Sequence, residues 1–365
     1  SKLPVPSPLR AVAFLITRPG TASDASAAKI RGDLPMNQRL SNKLGFRQHR
    51  HAFEGVLMNQ PLHLPLAQSA IDRDYMLREQ ADAFEILWQN PQTRVLPIYR
   101  GKVLLAEQSL KLIKPADLTE TVLLAYLGKS TEASESEPVG TPLVLAVLDE
   151  KRAHALEADE KEWHVLRRSG FGLSNRDAGM YAQALALANW HESHQFCSRC
   201  GSATEVIKAG WARRCLSEGK ELYPRTDPAV IVSVIDDQDR ILLGSQGVWE
   251  ENRWSVLAGF VEPGESLNAT VEREMFEEAG VRVSDIEYLG SQGWPYPYSL
   301  MLAFTARVRG DQKHIADGIE IAKLRWFSRA DIDNEKDSIL FPGPLTIARV
   351  MIEHWYGGPI EVASQ

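Results

Sequence analysis

Between Gly259 and Val281 the chain reads GFVEPGESLNATVEREMFEEAGV, with acidic residues at a spacing that a helix would turn into a cluster. On an α-helix, Glu274, Glu277 and Glu278 stand at i, i+3 and i+4, so their three carboxylates share one face. Carboxylates at that density repel one another unless a cation neutralises them. Hard oxygen donors of this kind suit Mg²⁺ or Mn²⁺, ions that also bridge phosphate oxygens. Bound metal of this type screens phosphate charge and lowers the pKa of a water bound to it. Arg273, four residues before Glu277, can pair with it and hold the cluster in place. Gly259 and Gly264 let the backbone turn tightly and come close to a phosphate.

A second constellation is made of sulfur. Cys197-Ser198-Arg199-Cys200 followed by Cys215 has the spacing of the first three ligands of a C-x2-C…C-x2-C zinc ribbon. The fourth cysteine would fall at position 218, which is Glu218. Three thiolates with Glu218 or water could hold Zn²⁺. His191 and His194 are nearby alternatives, more often plain surface histidines, and a ribbon that keeps its fold without metal is the other reading. Three cysteines are too few, and odd in number, for a disulfide framework, and they fit a reducing compartment.

The remaining composition narrows the classes. With 365 residues, 44% hydrophobic and 24% charged, the chain can bury sizeable cores in two or three domains. A net charge of −7 argues against tight sequence-independent binding to nucleic acid. The apolar run Ala11 to Ile16 is too short for a signal-peptide core or a membrane span, so a cytoplasmic location without membrane attachment is expected.

The elements that must position these groups can be read in outline. Short strand-like runs occupy Ala52 to Met58, Thr93 to Glu107 and Thr121 to Gly128. The acidic stretch Thr131 to Gly140 reads as a loop, Thr141 to Asp149 as a strand, and Ser174 to His191 as a helix with Ser174 at its N-cap. Beyond the cysteines come strands at Val230 to Ile235, Ile241 to Gly244 and Trp254 to Phe260. A helix follows at about Leu267 to Ala279, then strands near Ile286 to Gly290, Leu300 to Val308 and Lys323 to Phe327, and a last helix from Thr346 to Trp355. Leu267, Val271 and Met275 form an apolar stripe that would pin the acidic helix to a sheet. Strands mixed with helices indicate an α/β (α+β) sandwich with helices packed on a mixed sheet. The expected domains are 1–195, a scaffold or dimerisation unit, 196–228, the ribbon, and 229–360, the catalytic unit.

The acidic segment matches, at every defined position, G-x5-E-x7-R-E-U-x-E-E-x-G-U, where U is a bulky aliphatic residue: Gly259, Glu265, Arg273, Glu274, Met275, Glu277, Glu278, Gly280 and Val281. Most isolated charge runs are solvated helix faces. Seven fixed positions coincide by chance at roughly one in 10⁸ starting points, which decides against that reading here. The segment thus resembles the box of the Nudix hydrolases. Ten residues on, Ser291-Gln292-Gly293-Trp294-Pro295-Tyr296-Pro297-Tyr298-Ser299 resembles the S-Q-P-W-P-F-P-x-S array of the NADH pyrophosphatases within that superfamily. Tyr296 for Phe is a mild change, whereas Gly293 for Pro is a departure.

This resemblance covers Phe196 to Trp355 strongly and the first half in size and texture. It implies a Nudix α/β/α sandwich preceded by a degenerate Nudix-like domain, with the ribbon between them. It implies metal ligation by Ala258, Glu274, Glu278 and Glu320, with Glu277 beside them in the catalytic cluster. Tyr223 and Phe260 would stack on a base or nicotinamide, and Gln292, Trp294, Pro295, Tyr296, Pro297, Ser299 and Ala348 would line the same site. The implied reaction is metal-dependent hydrolysis of NADH or NAD to nicotinamide mononucleotide and AMP, with removal of NAD caps from RNA 5′ ends as a further activity, by a homodimer. Alternatives are another dinucleotide or nucleoside diphosphate derivative such as ADP-ribose or FAD, or a non-catalytic zinc-ribbon module. The intact carboxylates argue against the last.

Overall fold

A computed structural model describes residues 62, 64–67, 70–118, 123–134, 137–169 and 172–361. The expected strand at Ala52 to Met58 and the Ala11 to Ile16 run lie outside them. No helix among the described residues is long and apolar enough to cross a membrane.

The first half is built on a four-stranded sheet in the order β1-β5-β6-β2, formed by β1 (Ile71–Asp72), β2 (Arg94–Ile98), β5 (Leu123–Ser130) and β6 (Pro142–Val147). Alternation along its strands sorts two cores. Leu96, Ile98, Leu127, Leu143 and Leu145 face helix α5 (Asn175–Ser193). Val95, Tyr126, Val144 and Ala146 face Leu87 of α2 (Ala83–Gln89) and Ala153 of α3 (Glu150–Leu156). A short sheet of β3 (Val103–Ala106), β4 (Ser109–Leu110) and β7 (Trp163–His164), with helices α1 (Tyr75–Arg78) and α4 (Leu166–Ser169), completes this half. The stretch Thr93 to Glu107 is two strands rather than one, because Arg100 and Gly101 both take positive φ and turn the chain between them.

The ribbon is a three-stranded antiparallel sheet of β8 (Thr204–Ile207), β9 (Ala212–Cys215) and β10 (Glu221–Leu222). Behind it comes a six-stranded mixed sheet. Its path is β14 (Val283–Trp294), β15 (Ser299–Val308), β11 (Asp227–Ile235), β12 (Ile241–Ser245) and β16 (Lys323–Phe327), with β13 (Leu257–Phe260) pairing β11. Strands β11 and β15 run parallel, and the other pairs are antiparallel. Period-2 alternation along β11 again builds two layers. Val230, Val232 and Val234 pack with Val271 and Met275 of α6 (Leu267–Ala279), while Ile231 and Ile235 pack with Met351 and Ile352 of α8 (Ile347–Tyr356). Helix α7 (Arg329–Glu335) follows β16. The expected α/β/α sandwich is the fold of this half.

Candidate active site

Helix α6 starts and stops where its sequence says it should. The Ser266 hydroxyl accepts the Ala269 N–H at 3.2 Å as N-cap, and Gly280 closes the helix in the left-handed region at φ 69°. Buried Val271, Met275 and Ala279 seat it on the sheet, with Leu267 partly buried beside them. That seating turns Glu274 and Glu278 inward, so they are 9% and 5% exposed, while Glu277 stays exposed.

Gly259 is required by close approach. A Cβ built there would lie 1.9 Å from Cδ of Glu274, so any side chain would expel the carboxylate. Gly264 is required by its φ of +96°.

Arg273 holds the box together. It donates to Glu265 at 2.7 and 3.0 Å, to Glu274 at 2.8 Å, to the expected partner Glu277 at 2.9 Å, and to the Phe260 carbonyl at 2.9 Å. The arginine holds the Glu265 carboxyl down at about 2.

Glu278 lies at the other extreme. Burial first, then the charges of Glu274, Glu320 and Asp317, push its carboxyl up to about 8. One of its oxygens, Oε2, is buried with no hydrogen-bond partner. Glu274 is raised too, chiefly by burial. A buried, unpartnered carboxylate oxygen among further carboxylates is a poor site for any of them alone and fits a divalent cation. Glu320 sits in the turn before β16, where its N–H and those of Ile319 and Ile321 donate to Asp317. Asp317 was not expected in this cluster, since nothing in its local sequence marks it.

Beside Glu278 opens a cavity of about 660 Å³. Of the expected site residues it is lined by Ala258, Glu278, Gln292, Trp294 and Ala348. Arg167 joins them from α4 of the first half, with its guanidinium 5.1 Å from the Trp294 ring centre and 4.2 Å from that of Tyr296. Sequence reasoning missed Arg167.

The structure divides Gln292 to Ser299 between two cavities rather than gathering them in one. Ser291 to Trp294 form the end of β14, and Gly293 pairs with Leu300 in the edge hairpin. Gln292 is fully buried with its amide committed, donating to the Leu345 carbonyl at 3.0 Å and accepting the Ile347 N–H at 2.9 Å. Pro295, Tyr296 and Pro297 form the turn, which Asn189 of α5 grips by donating to the carbonyls of Pro295 and Pro297 at 3.0 and 3.1 Å. Pro295 and Ser299 line a second cavity instead. Phe260 and Tyr223 are both 59% exposed and outside the lining of the first cavity. Tyr223 lies just past β10, its hydroxyl donating to Glu221 at 2.5 Å.

In the ribbon, the donor atoms of Cys197, Cys200 and Cys215 all lie within 4.8 Å of one another. Cys200 and Cys215 sulfurs are 3.4 Å apart, and the Glu218 N–H donates to the Cys215 sulfur at 3.4 Å. Three converging thiols fit a zinc ion. Glu218 is beside them, but its carboxylate pairs with Arg199 at 3.6 Å. His191 is no ligand: its Nε2 bonds the Gly210 carbonyl at 2.8 Å, its Nδ1 meets Arg213 at 3.0 Å, and burial pushes it down to about 4. His194 Nδ1 is engaged by Ser193 and the Trp190 carbonyl, at 2.9 and 3.1 Å.

A mixed sheet between α6 and α8, with the acidic box on α6, defines a Nudix fold. Comparison with known families agrees. Residues 225–345 match the model of a NUDIX domain, 192–223 that of an NADH pyrophosphatase zinc ribbon domain, and 92–190 that of an NADH pyrophosphatase-like rudimentary NUDIX domain. It is 40% identical over 200 residues to the NAD-capped RNA hydrolase NudC of Mycobacterium tuberculosis, a match covering 52% of this chain and 64% of that protein. It is 36% identical over 197 residues to the human NAD-capped RNA hydrolase NUDT12, covering 50% of this chain and 42% of that one. The matched stretch therefore spans less than two thirds of either relative. A NUDIX hydrolase structure from Nitrosomonas europaea aligns at TM-score 0.37 and 23% identity, over 46% of this chain and 97% of its own.

Proposed function

We propose that this protein hydrolyses the pyrophosphate of NADH and NAD, and of the same dinucleotide as the 5′ cap of RNA. The observation that carries the reading is the unpartnered Oε2 of Glu278, a carboxylate raised by burial and by the charges of Glu274 and Glu320, beside a cavity that Trp294 helps to line. The names of the relatives and the two NADH pyrophosphatase domains support the choice of substrate.

Glu274, Glu278, Glu320 and the Ala258 carbonyl would hold Mg²⁺ or Mn²⁺. Bound there, the metal would screen the phosphate charge and acidify water. Glu277 keeps an exposed carboxylate at the cluster's rim, placed to accept a proton from the attacking water. A water oxygen bonds to one phosphorus and the bridging P–O bond breaks, leaving AMP and nicotinamide mononucleotide, the latter in its reduced form when the substrate is NADH. Arg167, Trp294 and Tyr296 supply cationic and aromatic surface for the nucleotide. Phe260 and Tyr223 offer exposed rings for a base, and in a homodimer a second copy would cover them. Three free thiols accord with a cytoplasmic enzyme.

The test is incubation with Mg²⁺ or Mn²⁺ and NADH, NAD, ADP-ribose or FAD, with products identified by chromatography. AMP with reduced nicotinamide mononucleotide from NADH, and with the oxidised form from NAD, at higher kcat/KM than the others give, is the expected result. Preference for ADP-ribose or FAD would overturn it.

A further inference from the structure

A second cavity, about 380 Å³, shares Trp294 as a lining residue with the first. Its walls include Arg73, Trp211, Arg225, Tyr298 and Ser299. The Arg73 guanidinium stands 5.4 Å from the centre of the Trp211 ring, and Arg78 lies on the same ring at 3.8 Å. Arg225 lies 5.4 Å from the Tyr298 ring centre, its charge partly answered by Asp227 at 2.6 Å.

Arg73 and Arg78 are answered less closely, Asp74 and Asp72 acting on Arg78 only through space. Among the described residues neither guanidinium is in an ion pair, and Nε and Nη2 of Arg78 are buried without a hydrogen-bond partner. The nearby Asp74 is taken up by Lys129 at 2.9 Å and the Tyr126 hydroxyl at 2.8 Å. Burial, and then the charge of Arg73, bring Arg78 down to about 10. Two cations held together on one indole cost free energy that a bound anion would offset. Exposed Arg73 is the one that a ligand in the cavity can reach.

We infer that this cavity is a phosphate-binding subsite for the single-stranded RNA chain that continues from a 5′ end seated in the first cavity, with Arg73 on a phosphodiester and Trp211 or Tyr298 beside a base. Cationic groups alternating with aromatic rings are the means by which single strands are bound without sequence preference. The inference rests on the dinucleotide-cap reading above. It also accounts for how a chain of net charge −7 could hold RNA: through Arg73 and Arg225 in one cavity rather than a basic track.

The test uses the full-length protein and a fluorescein-labelled RNA hexanucleotide with a 5′ hydroxyl, followed by anisotropy at several salt concentrations. Arg73→Ala should weaken binding about tenfold and lower the log–log salt slope by about one. Arg73→Lys should restore most of the affinity, and NADH turnover should stay within twofold in both variants. Unchanged oligonucleotide affinity in Arg73→Glu would overturn the subsite. So would wild-type protein that binds no oligonucleotide, a parallel fall in NADH turnover, or AMP competing as well as the oligonucleotide. Wild-type protein that binds the oligonucleotide but splits neither NADH nor NAD would remove the catalytic reading and leave the subsite standing.

Discussion

The side chain of Gln292 closes onto the backbone of Ile347, its Oε1 accepting that N–H at 2.9 Å while its Nε2 donates to Leu345. A residue of the edge hairpin thereby fixes the start of α8, and with it Ala348 on the cavity wall. Gln292 is a positioning residue in this arrangement. Gln292→Leu would leave a buried carbonyl and a buried N–H without partners, at a cost of about 2–4 kcal/mol. Urea unfolding should show that loss, and KM for NADH should rise. A variant as stable as the wild type would remove Gln292 from this role.

Glu278→Gln should leave a folded protein whose kcat is lower by about 10²-fold or more, because a metal-facing carboxylate is lost. The same substitution should change how stability follows pH. The folded carboxyl titrates near 8, well above its unfolded value, so without metal its contribution is complete below the unfolded value and is lost as pH rises toward 8. Melting temperature of metal-free wild type should fall over that window, and Glu278→Gln should flatten the fall. Near wild-type turnover in the variant, or identical pH profiles, would contradict the assignment.

Zinc is the third expectation. Protein purified without chelator should carry close to one equivalent by elemental analysis, bound by Cys197, Cys200 and Cys215. Cys200→Ser should release it and lower the melting temperature, since binding to converging thiolates stabilises the fold. Less than about a tenth of an equivalent would leave a ribbon that folds by packing alone.

Gly293 has room for a larger residue: a Cβ there meets nothing within 4 Å, and its φ lies outside the left-handed range. It also sits on an edge strand, where proline is tolerated. Restricting such a position stabilises by about 0.4–1 kcal/mol. If the hairpin is ordered further when substrate binds, Gly293→Pro should raise kcat/KM for NADH about two- to fivefold. An unchanged or lower value in a normally melting protein would show that the glycine is not a weakness.

The legible parts of the sequence were those with a fixed local period. Helix α6 spans the residues that the box and its apolar stripe indicated, and Lys323 to Phe327 is the strand expected there. Ser174 and Thr346 cap the helices they were expected to begin. What stayed hidden depends on contacts between distant parts of the chain. Asn189 grips a carbonyl 106 residues away, and Arg167 stacks on rings more than 120 positions later, and neither has a local signature. Asp317 looks like any turn residue until the fold brings it to Glu278. Gln292 belonged to a recognisable array, but its neighbours in sequence gave no sign that α8 would use both ends of its amide.

The grip of Asn189 and Arg167 on the Trp294 to Pro297 turn has a bearing on how such a chain can change over generations. The half that lacks an acidic box still sets the shape of a surface used by the half that has one. A substitution at Asn189 of α5 or Arg167 of α4 would therefore be felt at the other half's ligand surface. Recombination that exchanges one half alone would inherit a mismatched hairpin. Asn189 and Arg167 thereby help tie the two halves into one heritable unit, through side-chain contacts rather than through a shared reaction.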